Sequence, residues 1–97
     1  MQDRKLKESD LQSYLRHLRG EERSASTIQK YGHALRRFLD HFRRSGSKSL
    51  TKETVIQYKE TLLQTRAASG VNSEIAALNS FFSYMGWYEC RALRLLI

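Results

Sequence analysis

The fold is decided by one stretch, SASTIQKYGHALRRFLDHFRRSG, which runs from Ser24 to Gly46. Its large apolar residues recur three or four positions apart, which is helical spacing, and Ser24 stands where a helix N-cap is expected. These residues are Ile28, Tyr31, Leu35, Phe38, Leu39 and Phe42. The pattern predicts a helix from about Ala25 to Arg44, the longest in the chain and the main contributor to its core.

A shorter helix is predicted before this stretch. It begins at Ser9, whose hydroxyl is expected to cap the first turn in a capping-box arrangement with Gln12. It ends near Gly20, where a residue with positive φ would close the helix. Four glycines follow the helical stretches in this way: Gly20, Gly46, Gly70 and Gly86.

Two more helices are predicted after the long one. The third starts after Thr51 and continues to about Arg66, and the fourth runs from about Asn72 to Met85. Trp87 follows and is expected to fold back onto the bundle. The chain contains no proline, and its pattern predicts an all-α, four-helix domain with a short C-terminal extension.

Size and charge restrict the function classes. The chain has 97 residues, enough for one domain, and its 17 Lys and Arg against 10 Asp and Glu give a net charge of +7. A basic balance favours a polyanionic partner such as nucleic acid or an anionic membrane surface. Residues 1–50 hold 12 of the basic and 6 of the acidic residues. We therefore expect the electrostatic footprint mainly on the first half.

The termini and the single cysteine predict the setting of the domain. No apolar run is long enough to span a membrane, and no hydrophobic signal region stands at the start. Cys90 is expected to be a small apolar filler in a reducing cytoplasm. We predict a polar tail over residues 1–8, the helical domain over 9–87, and over 88–97 the start of a linker to a further domain.

The outward side of the second helix is basic. At 100° per residue it collects Ser26, Lys30, His33, Arg37, His41 and Arg44, interrupted chiefly by Asp40. Lys and Arg on such a face can neutralise phosphates, and the first turn of a helix favours an anion. This face is a candidate DNA-binding surface, with an ordinary solvated helix face as the alternative.

The outward side of the fourth helix carries small hydrogen-bonding residues and almost no long charged side chain. Asn72, Ser73 and Asn79 lie there with Ala76 and two further serines. Such a face lets a helix approach DNA closely, where asparagines can read base edges. A helix packed against another protein domain explains the same composition, and both interpretations stay open.

No constellation for catalysis or metal binding is found in the sequence. The three histidines and Cys90 lack metal-ligand spacing, and no phosphate loop or nucleophile elbow is present. The tyrosines in the helical patterns are expected to pack in the core. We therefore predict no catalytic residue, no metal and no cofactor.

Four segments in a fixed order carry a resemblance to a known family. They are SASTIQKY (residues 24–31), the apolar Leu35, Phe38 and Leu39, LTKETV (residues 50–55) and EIAALNSFF (residues 74–82). Together they resemble the SAM-like, core-binding domain of phage integrases, transposon integrases and Xer-type tyrosine recombinases, over about residues 8–88. The sequence departs from the family at Ser73 and Glu74, where many members have a basic residue.

The resemblance implies an orthogonal, SAM-like four-helix bundle that grips duplex DNA at the core recombination or attachment site. Family members perform strand cleavage and exchange with a separate catalytic domain, so this chain is expected to bind DNA only. Other protomers of the recombinase, in a synaptic tetramer, are the expected protein partners, in a bacterial or phage-encoded cytoplasmic system. The DNA-facing residues carried over by position, with two added from the basic face, are Ser26, Thr27, Lys30, His33, Arg37, Arg44, Asn72, Ser73 and Asn79.

Two other functions fit parts of the sequence. A helical protein-interaction domain would dock a partner on the fourth helix and use its basic residues for solubility. A stand-alone helix-turn-helix regulator is disfavoured, because the connection from Ser45 to Leu50 is longer than the usual turn of that motif.

Overall fold

Four α-helices make up the computed structural model of the chain, which describes residues 4–46 and 49–95. They are α1 (Glu8–Gly20), α2 (Ala25–Arg44), α3 (Lys52–Leu63) and α4 (Ala68–Met85), followed by a short 3-10 helix, Tyr88–Cys90. No strand is found in the two described ranges. The predicted all-α fold with four helices is confirmed.

Aromatic side chains from all four helices meet in one core. Phe38 of α2 is fully buried and lies edge-on to Tyr58 of α3 and to Phe82 of α4, with ring centroids 5.0 and 6.1 Å apart. Tyr14 of α1 meets Phe81 of α4 in the same way at 5.4 Å. Edge-to-face contacts are favourable beyond the burial of apolar area. The bundle is therefore a single packed unit, and its surface faces have fixed relative positions.

The second helix agrees with its sequence pattern. It spans Ala25–Arg44, and the Ser24 hydroxyl accepts a hydrogen bond from the backbone N–H of Thr27 at 3.1 Å. After Arg44, Gly46 takes a left-handed conformation with φ of 72°, as expected for the residue that closes a helix. The cap, the bounds and the closing glycine of α2 are all confirmed.

The predicted cap of the first helix is wrong. The helix begins at Glu8 with Lys7 at the N-cap, and the backbone N–H of Lys7 donates to the carboxylate of Asp10 at 3.3 Å. Ser9 lies inside the first turn, and Gln12 bonds Glu8 instead. Acidic residues in the first turn are stabilised by the helix dipole, so Asp10 provides the better partner.

The boundary between the third and fourth helices also differs from the prediction. Helix α3 ends at Leu63, because residues 64–66 turn back with N–H bonds to carbonyls three or four residues earlier. Helix α4 begins at Ala68, one turn before Asn72, and the additional turn places Val71 fully inside the core. Gly70 therefore lies within a helix instead of closing one. The prediction for Gly20 is also wrong, because Gly20 is the last residue of α1 and Glu22, with φ of 59°, takes the left-handed conformation after it. Gly86, with φ of 76°, does close α4.

Segments at both ends of the described chain pack on the bundle. The carbonyl of Arg4 accepts a bond from the Leu50 N–H at 2.6 Å, and Leu6 is buried. Trp87 lies edge-on to Phe81 at 6.1 Å and Cys90 is fully buried, as predicted. The predicted division into tail, domain and linker stays a prediction. Within the described residues, no helix is both long and apolar enough to cross a membrane.

Candidate nucleic-acid interface

The outward face of α2 presents a line of polar and basic side chains to solvent. Ser26, Lys30, His33, Arg37 and Arg44 are all exposed. At 100° per residue they fall within a sector of about 60°, and the 18-residue span covers about 27 Å of helix. We call these five residues the α2 basic face. Its length covers several successive phosphates of one DNA strand, which carries one charge for about every 3.4 Å of the duplex axis.

Thr27, predicted to face DNA, lies at the edge of this surface. It is half-buried, and its hydroxyl is bonded to the Ser24 hydroxyl at 2.9 Å. Its backbone N–H is also bonded to Ser24. In this structure Thr27 contributes to the cap of α2, while Ser26 beside it stays exposed.

Arg37 differs from the rest of the α2 basic face because it is tied to a buried carboxylate. Glu74 of α4 is only 3 % exposed, and its Oε1 accepts bonds from Arg37 Nε at 3.1 Å and from Arg66 Nη1 at 3.0 Å. The hydroxyl of Tyr58 lies 3.5 Å from Oε2. A buried carboxylate is tolerated only with such partners. One acid and two arginines leave the Glu74 cluster with a net positive charge at the surface.

Burial and the nearby Glu74 carboxylate raise the pKa of Tyr58 to about 12. Desolvation is the larger cause, since a phenolate would lose water in this position. The ring of His41 lies 4.9 Å from that of Tyr58. His41 is therefore half-buried against α3 and does not extend the α2 basic face, although the helical pattern had put it there.

The two asparagines of α4 are paired with the chain's own backbone. Asn79 donates to the Ala92 carbonyl and accepts from the Ala92 N–H, both at 2.8 Å. Asn72 does the same with Leu95, at 2.9 and 2.7 Å. Each side-chain amide thus donates one bond and accepts one bond within the chain. Their assignment as DNA contacts stays a prediction, and in this structure the bonds to residues 92–95 compete with it.

Ser73, the third predicted contact on α4, is exposed, and its hydroxyl donates to the Ser69 carbonyl at 3.2 Å. That bond stays within the helix and does not cover the side chain. The structure therefore groups the α2 residues on one open face. It separates Ser73 from the two asparagines, which lie beneath the C-terminal segment.

Comparison with known proteins decides the family. The chain matches the family model of the phage integrase N-terminal SAM-like domain over residues 11–88. The chain belongs to this family. The match covers most of the chain, and the expected SAM-like fold and association with DNA integration are confirmed at the level of the family. No curated protein and no solved structure gives a significant match.

Sequence reasoning missed two residues of this integrase domain, Glu74 and Arg66. From the sequence, Glu74 was noted only as a departure from the family, yet it is buried between α2, α3 and α4. A signal was present in the sequence. Val71, Glu74 and Leu78 follow one another at spacings of three and four, so Glu74 occupies an apolar position of the helix. An acid at such a position requires cationic partners.

Across residues 4–46 and 49–95, no group of three His, Cys, Asp or Glu side chains is arranged to hold a metal ion. Cys90 is buried among apolar residues. The α2 basic face offers positive charge and hydrogen-bond donors, which can bind an anionic group.

Proposed function

We propose that this chain is the DNA-binding module of a tyrosine recombinase, and that it grips duplex DNA at the core recombination site through the α2 basic face. The observation that carries the proposal is the exposed alignment of Lys30, His33 and Arg44 along one face of α2, where Asp40 at the edge is the one acid that the helix contributes. Phosphate contacts of this kind supply affinity for any sequence and fix the orientation of the protein.

Membership of the phage integrase family supports the biological setting. In this proposal a separate catalytic domain of the same protein performs strand cleavage, and the module contributes binding, orientation and contacts with other protomers in a synaptic tetramer. The proposed location is the cytoplasm of a bacterium or of a phage-infected cell.

The competing function is a helical protein-interaction domain that docks a partner on α4. Its basis was the small polar face of that helix. The bonds from Asn72 and Asn79 to residues 92–95 provide a cover for this face within the chain itself. A partner on α4 is therefore not needed to explain the composition of the helix, which favours the DNA-binding proposal.

The test is fluorescence anisotropy of the 97-residue chain with labelled duplex DNA at several salt concentrations. A linear fall of log K with log salt is expected, with a slope of about −0.9 for each phosphate contacted. Lys30→Ala with Arg44→Ala should reduce the magnitude of that slope by about 1.8, because two contacts are lost.

The matched control is Lys5→Ala with Arg16→Ala, which removes the same charge from two exposed residues outside the α2 basic face. This control should leave the slope close to that of the unaltered chain. Equal losses in the two double variants would show that only net charge matters, and would overturn the assignment of the face. A DNA-binding constant that does not change with salt concentration would also overturn the assignment of the face.

A further inference from the structure

The C-terminal segment, residues 91–95, is held on α4 by two matched asparagine bridges. Asn72 and Asn79 are two helical turns apart, about 10.5 Å along the axis. Ala92 and Leu95 are three residues apart in extended chain, about 10 Å. Because the spacings agree, each asparagine can satisfy both backbone groups of one residue, and the segment runs antiparallel to α4.

Two arginines occupy the positions directly before the bridged residues. Arg91 precedes Ala92 and Arg94 precedes Leu95, and both side chains are exposed. Neither makes an ion pair within the described residues. A guanidinium without a carboxylate partner keeps its full capacity to bind an anion. The bridges fix the backbone next to each arginine, which limits where the two side chains can reach.

Both arginines line a polar cleft between the segment and the bundle. The other polar residues of its lining are Tyr31, Asn79, Ser80 and Ser83, and no acidic residue contributes to it. Tyr31 follows Lys30 in α2, so the cleft borders the N-terminal half of that helix. The hydroxyl of Ser80 is bonded to Tyr14 at 2.5 Å, which fixes the floor of the cleft.

We propose that this cleft is a second phosphate-binding site for duplex DNA, in which Arg91 and Arg94 neutralise phosphodiesters. Asn72 and Asn79 are positioning residues that hold the arginine-bearing segment in place, and they do not read bases. The proposal rests on the DNA-binding function above and extends it, because nothing in the α2 basic face requires the C-terminal segment. The polar face of α4 then serves DNA binding indirectly.

The first test repeats the salt titration with Arg91→Ala and Arg94→Ala together. The slope should fall in magnitude by about 1.8, so that raising the salt from 50 to 200 mM weakens the variant about 12-fold less than the unaltered chain. Lys5→Ala with Arg16→Ala is again the control of equal charge. Since Arg91 and Arg94 have exposed side chains, the variant should fold normally, as checked by its circular dichroism and thermal midpoint.

The second test examines the positioning role through non-additivity. Asn72→Ala with Asn79→Ala should weaken DNA binding and should speed hydrogen exchange at the amides of Ala92 and Leu95. Once the bridges are removed, adding Arg91→Ala and Arg94→Ala should cause less than its usual loss, because the segment loses the bonds beside the arginines and keeps the bond from Lys59 Nζ to the Leu93 carbonyl, at 2.6 Å. Lys30→Ala should retain its full effect in the same background.

The outcomes separate the two proposals. If the unaltered chain binds DNA but the Arg91 and Arg94 variant behaves as the Lys5 and Arg16 control, the cleft is not a DNA site and the α2 proposal stands. If the asparagine and arginine losses add fully, the positioning role is overturned and the arginines act alone. If the unaltered chain fails to bind duplex DNA at low salt, both proposals fall.

Discussion

The outward faces of α2 and α4 share a polar character but differ in what they contact. Lys30 and His33 of α2 point into solvent, whereas Asn72 and Asn79 of α4 are each joined to the backbone of the C-terminal segment. A long charged side chain keeps its head group in water, while a short amide on a helix can come close to another backbone. The comparison shows that a polar helix face can be open to solvent or can form an internal interface.

The Glu74 cluster joins the two faces. Arg37 belongs to the α2 basic face by position, yet its guanidinium bonds a carboxylate that lies inside the bundle. It is therefore available to DNA on one side and needed for stability on the other. Lys30 and Arg44 carry no such obligation, which allows mutation to separate binding from folding.

The largest expected effect comes from removing both arginines of the Glu74 cluster. Arg37→Ala with Arg66→Ala leaves a carboxylate that is 3 % exposed with only the distant Tyr58 hydroxyl as a partner. Breaking buried pairs in this way costs about 3 to 5 kcal/mol. Because both arginines are partly exposed, we expect the lower end of that range in the free energy of unfolding, measured by urea denaturation.

Lys30→Ala with Arg44→Ala is the matched control for this prediction. It removes the same charge from two exposed positions of α2, the helix that carries Arg37. It should change the free energy of unfolding by no more than about 0.5 kcal/mol. Adding Glu74→Gln to the Arg37 and Arg66 variant should restore much of the loss by removing the buried charge. If the variant with Arg37→Ala and Arg66→Ala were as stable as the variant with Lys30→Ala and Arg44→Ala, the structural role of the cluster would be contradicted.

The same distinction explains what could be predicted from sequence. The cap, the bounds and the closing glycine of α2, from Ser24 to Gly46, depend on residues within four positions of one another, and local patterns were sufficient. The partners of Asn79 and Asn72 are 13 and 23 residues away, and Arg37 is 37 residues from Glu74. Helical periodicity gives the direction of a side chain but not which distant segment returns to it. The small polar side chains of the α4 face were therefore recognised as unusual, but their bonds to residues 92–95 were not predicted.

An intermediate effect is expected from pH, through Tyr58 of α3, whose hydroxyl lies beside Glu74 of α4. Its pKa is about 12 in the folded chain, against about 10 for an unfolded tyrosine. The stabilising contribution is complete below pH 10 and is lost as the pH rises through 12, because the unfolded chain releases its proton first. The full loss is on the order of 3 kcal/mol, since each step of one in pKa corresponds to about 1.4 kcal/mol.

Unfolding free energies of Tyr58→Phe and of the unaltered chain, measured between pH 8 and 12, test this directly. The phenylalanine variant should begin slightly less stable, having lost its contact with Glu74, and should then decline less steeply above pH 10. Tyr88→Phe makes the same chemical change on a side chain that is 61 % exposed, and serves as the control. A parallel alkaline decline in all three chains would refute the role of Tyr58.

The smallest effects concern the N-termini of the two helices. Ser24 accepts a bond from the third residue of α2, whereas Ala67 occupies the equivalent position of α4 with no side-chain bond. Ser24→Ala should therefore cost about 1 kcal/mol, and Ala67→Ser should gain about half as much, since φ of −68° and ψ of 157° at Ala67 are already those of a capping residue. Thermal midpoints of the two single variants would show shifts in opposite directions. A loss of stability in Ala67→Ser would mean that the turn before α4 is held by Arg66 and Glu74 in a geometry that a serine cap disturbs, and that the two helix starts differ in more than their capping side chain.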